Sequence, residues 1–171
     1  MAYWVDRSGY GGSGGRPQPS DAFADRFHMY TSGACLDSGE PGARAGIGVF
    51  FPLSQQLNVC EPRVGLQTTN RAEIEAAIRG LQVAKHLGQY RVVVHTDSNF
   101  VIKSMTEWLH NWHQNGYKNM NGRDLLNKVD IQALEREMQA MDVLWNKVPG
   151  HRGIHGNDMA HLLANSGAHV Y

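Results

Sequence analysis

The order of the strand and helix patterns is the feature that most limits how this chain can fold. Three strand-like segments come first, and helix-like and strand-like segments then alternate towards the carboxyl terminus. This order predicts a three-strand meander joined through helices to further parallel strands. The strand patterns are 27–30, 45–51, 56–63, 91–95 and 143–148, and the helix patterns are 71–87, 99–110, 125–138 and 157–166. We therefore predict an α/β fold with a five-stranded mixed sheet flanked by helices.

Local residue choice supports these elements. The segment 91–95 is a β-branched run, which is typical of a buried strand. The helix pattern 71–87 repeats its apolar residues at helical spacing. Thr69 or Asn70 is predicted to cap the start of this helix, and Gly88 is predicted to end it.

The amino-terminal segment has a different composition from the rest. It is dense in glycine, serine and proline, and such a stretch cannot bury enough apolar surface to offset its conformational entropy. We predict a flexible arm over 1–25 and a folded domain over 26–171. Tyr3, Trp4 and Tyr10 are unusual in such an arm. Two interpretations stay open, namely an artificial or sticky tail and a short aromatic motif that docks on a partner.

Composition excludes several classes of function. The chain of 171 residues carries 16 basic and 16 acidic residues. This balance argues against a strongly basic protein that binds polyanions without selectivity. Its longest apolar runs are too short to cross a bilayer, and no secretory signal is visible, so we expect no membrane association. Cys35 and Cys60 cannot build a disulfide framework. These features indicate an intracellular protein of the cytoplasm or nucleus.

Two carboxylates stand where ligands usually bind in an open α/β sheet. Asp97 directly follows the strand pattern 91–95, at its carboxyl end, and Glu73 lies near the start of a helix. The two side chains could converge on a ligand. Two structural roles explain them equally well, because Glu73 suits the positive end of a helix dipole and Asp97 suits a helix cap.

Five short segments together carry a more specific signal. They are Tyr30–Gly33 with Ala45–Val49, Gln67–Glu73, Thr96–Ser98, Trp108 and Trp112 with Asn115–Lys118, and Val148–His151 with Gly156 and Asn157. In this order and spacing they resemble the type 1 ribonuclease H family over roughly residues 26–168. The resemblance implies a ribonuclease H-like fold and hydrolysis of the RNA strand of RNA–DNA hybrids, with two magnesium ions held by four carboxylates.

The resemblance assigns site residues by motif, and two of them depart from the family pattern. Glu73 and Asp97 match the second and third carboxylates, and His151 matches a mobile histidine that helps to release product. Ser32 and His161 stand where the family has its first and fourth carboxylates. A neutral hydroxyl cannot bridge two cations, and imidazole suits Mn²⁺ or Zn²⁺ better than Mg²⁺. We therefore expect weak or no metal binding at Glu73 and Asp97, and no cofactor unless the chain is active with Mg²⁺ or Mn²⁺.

Other side chains could compensate for the missing carboxylates. Asp37 lies five residues after Ser32, and Asp158 lies three residues before His161, so either would need the backbone to rearrange. A cluster of His151, His155 and His161 is a further alternative, although no recognised zinc spacing supports it.

Aromatic residues match the groove that holds the DNA strand in the family. They are Phe100, Trp108 and Trp112. The spacing of four between the tryptophans also fits two core residues of a helix. The polar residues that follow favour a partly exposed stacking surface.

Polar residues match positions that grip the nucleic-acid backbone. Thr68 and Asn127 correspond to a DNA-phosphate pocket, in which Leu66 replaces the family's arginine. Because cationic contacts dominate nucleic-acid affinity, this change predicts weaker binding. Residues near the RNA sugars are matched by Cys35, Thr69 and Asn70.

These observations lead to one main functional hypothesis and one alternative. The main hypothesis is a catalytically inactive ribonuclease H-like domain that serves as a protein-interaction or scaffold module, with or without residual affinity for RNA–DNA hybrid or double-stranded RNA. On this hypothesis the chain is not an enzyme. The alternative is an active metal-dependent ribonuclease H. Deliberate inactivation is disfavoured, because engineered knockouts usually introduce an amide or alanine rather than Ser32 and His161.

Overall fold

Six strands form one sheet in the computed structural model, which describes residues 3–5 and 23–170. The strands are β1 Tyr3–Val5, β2 Phe27–Leu36, β3 Arg44–Phe50, β4 Val59–Pro62, β5 Arg91–Thr96 and β6 Asp142–Lys147. Their order across the sheet is β1-β6-β5-β2-β3-β4. β2, β3 and β4 are antiparallel neighbours, whereas β2, β5, β6 and β1 run parallel. The predicted mixed sheet of five strands is thus confirmed in β2 to β6, and β1 adds a short sixth strand.

Helices connect the parallel strands and cover both faces of the sheet. They are α1 Thr69–His86, α2 Asn99–Lys103, α3 Leu109–Asn115, α4 Lys128–Met138 and α5 His155–Ala168. A π-helical segment, Ser104–Trp108, joins α2 to α3 without a break, and a 3-10 turn, Gln55–Leu57, precedes β4. Within the described ranges, no helix is both long and apolar enough to cross a membrane.

The element boundaries differ from the sequence prediction in several places. β2 continues six residues beyond the predicted end of its strand, because its pairing with β3 runs on to Leu36. The predicted strand 56–63 begins instead as the 3-10 turn. The cap of α1 is Thr68, whose hydroxyl accepts a hydrogen bond from the backbone nitrogen of Arg71 at 3.3 Å, rather than Thr69 or Asn70.

Glycines allow the two long helices to approach the sheet from opposite faces. A side chain at Gly46 or Gly48 of β3 would overlap the backbone of α5. On the other face, Gly80 of α1 lies against Met29 and Val49. Successive side chains along a strand point to opposite faces of the sheet, so neighbouring residues of β2 face different helices. Ser32 therefore faces α5, and Gly33 faces α1, where it contacts Ala72 and Glu73.

The short strand β1 belongs to the predicted amino-terminal arm. It pairs in parallel with β6, with Trp4 opposite Trp145. Tyr10 and most of the predicted arm lie outside the described residues, so the predicted flexibility of 1–25 stays a prediction.

Candidate active site

The carboxyl end of β5, and the part of β2 just beyond its pairing with β5, bring together four of the residues selected from the sequence. Ser32 lies in β2, Asp97 directly follows β5, Glu73 extends from α1 and His161 extends from α5. Two helices from opposite faces of the sheet thus meet two neighbouring parallel strands at the edge where α/β sheets usually bind ligands.

Three of these side chains form a continuous chain of hydrogen bonds. The Oγ of Ser32 lies 2.9 Å from Nδ1 of His161, and Nε2 of His161 lies 2.7 Å from Oδ2 of Asp97. Ser32 is only 2% exposed. Asn157, which is fully buried, donates from Nδ2 to the same Asp97 oxygen at 3.2 Å. The two residues that depart from the family pattern are therefore in direct contact with each other.

Glu73 joins the cluster through Ser98, whose hydroxyl donates a hydrogen bond to Oε2 of Glu73. The pKa of Glu73 is raised to about 7, chiefly by burial and also by the nearby charge of Asp97, while the hydrogen bond from Ser98 acts in the opposite direction. Near neutral pH this carboxyl group therefore carries only part of its full charge.

Asp97 and His161 shift each other's protonation in the direction expected for an ion pair. Burial raises the pKa of Asp97, but the hydrogen bonds from His161 and Asn157 outweigh it and hold that pKa below its ordinary value. The hydrogen bond to Asp97 raises the pKa of His161, against an opposing effect of burial. The lowered pKa of Asp97 and the raised pKa of His161 together favour a charged Asp97 with a hydrogen-bonded imidazole beside it.

Neither carboxylate has the structural role that the sequence left open. The cap of α2 is Ser98, whose Oγ accepts from the backbone nitrogen of Val101 at 3.2 Å, so Asp97 does not cap that helix. The first turn of α1 contains no acidic residue, because Glu73 lies beyond it. Ser98 and Asn157 lay within the quoted motifs but were not selected as site residues. The available signal was that Ser98 directly follows Asp97 in one motif and that Asn157 follows Gly156 in another.

The loop after β6 places His151 against the cluster. The ring of His151 stacks on that of His161 with centroids 4.9 Å apart, and its backbone has a positive φ of 53°. Residues other than glycine rarely adopt this conformation, and the cases that occur are concentrated at functional sites. His155 packs instead on Phe50, with ring centroids 5.6 Å apart.

The alternative ligands considered from the sequence do not join the cluster. Asp37 is exposed in the turn after β2, and Asp158 is exposed on α5. In the part of the chain that the structure describes, no three histidine, cysteine, aspartate or glutamate side chains already stand where they could hold one metal ion together.

The donor set does not fit the two magnesium ions that the resemblance implies. Two closely spaced divalent ions need several anionic oxygens to offset their mutual repulsion. Here Glu73 and Asp97 are the only carboxylates in the cluster, and one oxygen of each already accepts hydrogen bonds from the protein. The other two positions hold a hydroxyl and an imidazole.

Phe100, Trp108 and Trp112 form an aromatic row along the segment from α2 to α3. Neighbouring ring centroids in the row are 6.3 Å and 5.7 Å apart. Trp108 and Trp112 are half-buried, so they are neither pure core nor fully exposed. Both line an open groove of about 460 Å³. Lys103 adds a cation 6.0 Å from the ring centre of Trp108.

The residues predicted to grip a DNA phosphate are close together but already bonded within the protein. Thr68 caps α1, and the buried Asn127 accepts a hydrogen bond from Nε of Arg71 at 3.4 Å. The same guanidinium contacts Asp130 at 3.3 Å. Leu66 is 55% exposed. Arg71, which the sequence analysis missed, thus places a cation beside Asn127 and Asp130, and its place three residues after Thr68 was the available signal.

The residues predicted to lie near RNA sugars are partly accessible. Thr69 and Asn70 are exposed in the first turn of α1, and Cys35 is half-buried in β2. Both cysteines of the chain are free thiols.

Comparison with known proteins matches nearly the whole folded part. The family model described as RNase H matches residues 24–169. The human protein named Ribonuclease H1 is 42% identical over 155 residues, which cover 89% of this chain and 54% of that protein. The protein of Bordetella pertussis named Ribonuclease H is 38% identical over 142 residues, covering 83% of this chain and 88% of that protein. The chain therefore spans about half the length of the mammalian relatives.

Solved structures give the same fold. The crystal structure of LC9-RNase H1, described as a type 1 RNase H with the type 2 active-site motif, matches with a TM-score of 0.65 and 29% identity, over 83% of this chain and 71% of that one. A foamy viral protease-reverse transcriptase in complex with RNA/DNA hybrid matches with a TM-score of 0.72 over 96% of this chain and 23% of that one. At 20% identity this second match supports the fold alone.

These comparisons contradict the prediction of an inactive scaffold that is not an enzyme. Relatives that are 35% to 42% identical over most of the chain bear the name of an enzyme. The prediction was wrong, and it rested on the number of carboxylates that the sequence lacks. It did not consider that Ser32 and His161 contact each other and remain joined to Asp97.

Proposed function

This chain belongs to the ribonuclease H family, and from that membership we propose that it is an endoribonuclease acting on the RNA strand of RNA–DNA hybrids. The observation that carries the proposal is the alignment of most of the chain with proteins named ribonuclease H. The cluster of Glu73, Asp97, Ser32 and His161 is the active site in this proposal.

The roles of the other residues form part of the same proposal. Trp108, Trp112 and Phe100 support the DNA strand by stacking, which tolerates any base sequence. Thr68 and Asn127 bind a DNA phosphate with help from Arg71.

The strand that is cut is contacted by a different set of residues. Thr69, Asn70 and Cys35 lie beside its ribose groups, where the 2′-hydroxyl distinguishes RNA from DNA. His151, at the rim of the cluster, assists departure of the product.

We further propose a divalent cation requirement, met by Mg²⁺ or Mn²⁺, because the family is metal-dependent. An intracellular location in the cytoplasm or nucleus is consistent with the free thiols of Cys35 and Cys60. The division into an arm over 1–25 and a ribonuclease H-like domain over 26–171 is part of the proposal, and the family match over residues 24–169 supports the second of these. A protein partner remains a prediction from the sequence.

A cleavage assay with a labelled RNA–DNA hybrid tests the proposal. The purified chain should cut the RNA strand in Mg²⁺ or Mn²⁺, and it should leave duplex DNA intact. Asp97→Asn should abolish cleavage, whereas Asp37→Asn, in the exposed turn after β2, should not. Absence of cleavage in both cations, or cleavage that survives Asp97→Asn, would show that the activity lies elsewhere.

A further inference from the structure

Glu135 of α4 joins two residues at the end of the helix that carries the aromatic groove. One of its carboxylate oxygens, Oε2, accepts a hydrogen bond from the hydroxyl of Tyr117, and the other, Oε1, lies 2.6 Å from Nε2 of His113. An ionised carboxylate only accepts hydrogen bonds, so Nε2 of His113 carries the hydrogen. The rings of His113 and Tyr117 also touch, edge to face, with centroids 5.8 Å apart. A single carboxylate thus holds one residue of α3 and one residue just after it.

The helix α3 is held less firmly than α4. In the part of the chain that the structure describes, α3 contains no buried residue, and Leu109 and Trp112 pack only partly against the core. In α4, by contrast, Ile131 and Leu134 are buried. Because Glu135 directly follows Leu134, it offers a fixed point to which the end of α3 is attached.

Tyr117 lies at the junction between the two walls of the groove. One wall is the helix around Trp108 and Trp112, and the other is the loop 118–125. The backbone nitrogen of Tyr117 donates to the carbonyl oxygen of Trp112 at 2.9 Å, and its own carbonyl oxygen accepts from the backbone nitrogen of Leu125 at 3.0 Å. A displacement of Tyr117 would therefore move both walls.

The backbone of Tyr117 has a conformation that its surroundings must maintain. Its φ is 61°, in the left-handed region, where a bulky residue is uncommon and persists only if other contacts hold it. Burial and the hydrogen bond to Glu135 raise the pKa of Tyr117 to about 12, so its hydroxyl stays protonated at neutral pH and continues to donate. The bond to Glu135 is thus one of the contacts that hold this turn.

We propose that Glu135 is a positioning residue for nucleic-acid binding, which holds the helix bearing Trp112 and the loop 118–125 in the arrangement that forms the groove. This inference rests on the proposed function, since it concerns the groove that would hold the DNA strand. Glu135 does not line the groove, so it acts through His113 and Tyr117. Removal of its negative charge would by itself favour binding of a polyanion. Loss of positioning and loss of charge therefore have opposite effects on affinity.

Fluorine NMR of the full chain labelled with 5-fluorotryptophan, without nucleic acid, tests the positioning directly. The resonance of Trp112, assigned with Trp112→Phe, should shift or broaden in Glu135→Ala. The resonance of Trp145, fully buried in β6, should stay in place and so report an intact fold. Tyr117→Phe removes a single hydroxyl and should also move the Trp112 resonance, even if Glu135→Ala disturbs the whole fold. An unchanged Trp112 resonance in Tyr117→Phe would overturn the proposal.

Binding of a labelled RNA–DNA hybrid, measured in the catalytically blocked Asp97→Asn background, tests the consequence for affinity. Glu135→Ala should weaken binding by about 5- to 100-fold, the range of one lost stacking contact. Glu107→Ala removes the same charge from an exposed position in the π-helical segment, and it should bind at least as tightly as its parent. Equal affinities of the two variants would contradict a positioning role.

A double-variant cycle shows whether Glu135 acts through Trp112. In a Trp112→Ala background, Glu135→Ala should weaken hybrid binding much less than in the parent, because the main contact that Glu135 positions is already absent. An equal loss in both backgrounds would overturn the proposal. Tyr117→Phe should weaken binding in the parent, whereas Tyr90→Phe, the same change at a half-exposed position, should not.

Cleavage kinetics separate this inference from the proposed function. Glu135→Ala should raise KM and leave kcat unchanged, as expected for a residue that affects binding alone. If the Trp112 resonance moves but the wild type neither binds nor cleaves the hybrid, Glu135 still positions the groove and the proposed function fails. If the wild type cleaves the hybrid and Glu135→Ala leaves KM unchanged, the proposed function stands and this inference fails.

Discussion

The strand-end cluster and the aromatic groove occupy the same molecule but differ in how their side chains are held. In the cluster, Ser32, Asp97 and His161 are bonded to one another and largely withdrawn from solvent. In the groove, Trp108 and Trp112 are half-buried and keep an open face. The first region is held by internal polar contacts, whereas in the second Phe100 and Trp112 pack against the hydrophobic core.

This difference predicts that the two regions tolerate change differently. A bonded cluster can change the chemistry of a residue only if a neighbour changes with it, as the contact between Ser32 and His161 illustrates. An open aromatic surface should lose or gain single contacts at a modest cost, because Trp108 and Trp112 keep faces that are not bonded to the rest of the protein. Mutations should therefore have large and coupled effects in the cluster and small, separate effects in the groove.

The largest effect is expected from Gly33→Ala, because an added Cβ would overlap the backbone of Ala72 and Glu73. Neither strand nor helix can move without disturbing the cluster, so the free energy of unfolding should fall by more than about 4 kcal/mol. Gly42→Ala is the matched control, since a Cβ there meets nothing within 4 Å, and its effect should stay within about 0.5 kcal/mol. Urea denaturation measures both, and equal midpoints for the two variants would refute the close approach.

The next effect concerns the pH dependence of stability. Burial raises the pKa of Glu73 to about 7, from 4.5, so the folded state keeps a proton that the unfolded chain releases. The free energy of unfolding should therefore fall as pH rises from about 4.5 to 7, by at most about 3 kcal/mol for this group, at 1.36 kcal/mol per pKa unit. Glu73→Gln should remove this loss.

The control for this prediction is Glu107→Gln, at an exposed position in the π-helical segment. The comparison must be made between variants, because the raised pKa of His161 also makes the wild type lose stability at higher pH. Parallel pH profiles of the wild type and Glu73→Gln would show that the carboxyl group of Glu73 is not desolvated.

A smaller effect is expected in the groove. Trp112→Ala should weaken binding of an RNA–DNA hybrid by about 1–3 kcal/mol, the usual value of one stacking contact, with little change in salt dependence. Fluorescence anisotropy with a catalytically blocked Asp97→Asn background measures this. Tyr90→Ala, at a half-exposed position before β5, should bind like its parent, and a similar loss at both positions would argue against a specific groove.

The smallest effect is expected from Leu66→Arg, which adds a cation beside Thr68 and Asn127. The slope of log affinity against log salt concentration should become steeper by about 0.9, the value for one further neutralised phosphate. Leu53→Arg adds the same charge on an exposed loop distant in sequence from these residues, and equal slopes for both variants would indicate general attraction only.

The sequence predicted the sheet well because strands and helices leave local signatures. The β-branched run became β5, and the periodic segment 71–87 became α1 with ends shifted by one or two residues. The sequence was a poorer guide to the N-cap of α1. Three polar residues in succession, Thr68 to Asn70, could each have capped the helix. Only the backbone angles of Thr68 decide between them.

The arrangement of the site could be predicted only in part. The convergence of Glu73 and Asp97 followed from the placement of strand ends and motifs. The contact between Ser32 and His161 joins residues 129 positions apart, and no spacing rule reaches that far. The pairing of Arg71 with Asn127 is likewise a product of helix packing between α1 and α4.

The π-helical segment Ser104–Trp108 determines the direction in which the side chains of α3, which continues the same helix, point around the helix axis. One extra residue in a helical turn advances the later side chains by about 100° around the axis. Trp112 therefore owes its orientation towards the groove to the hydrogen-bond register of Ser104–Trp108, and a single deletion before Trp108 in that segment would rotate Trp112 away without altering any residue that lines the groove.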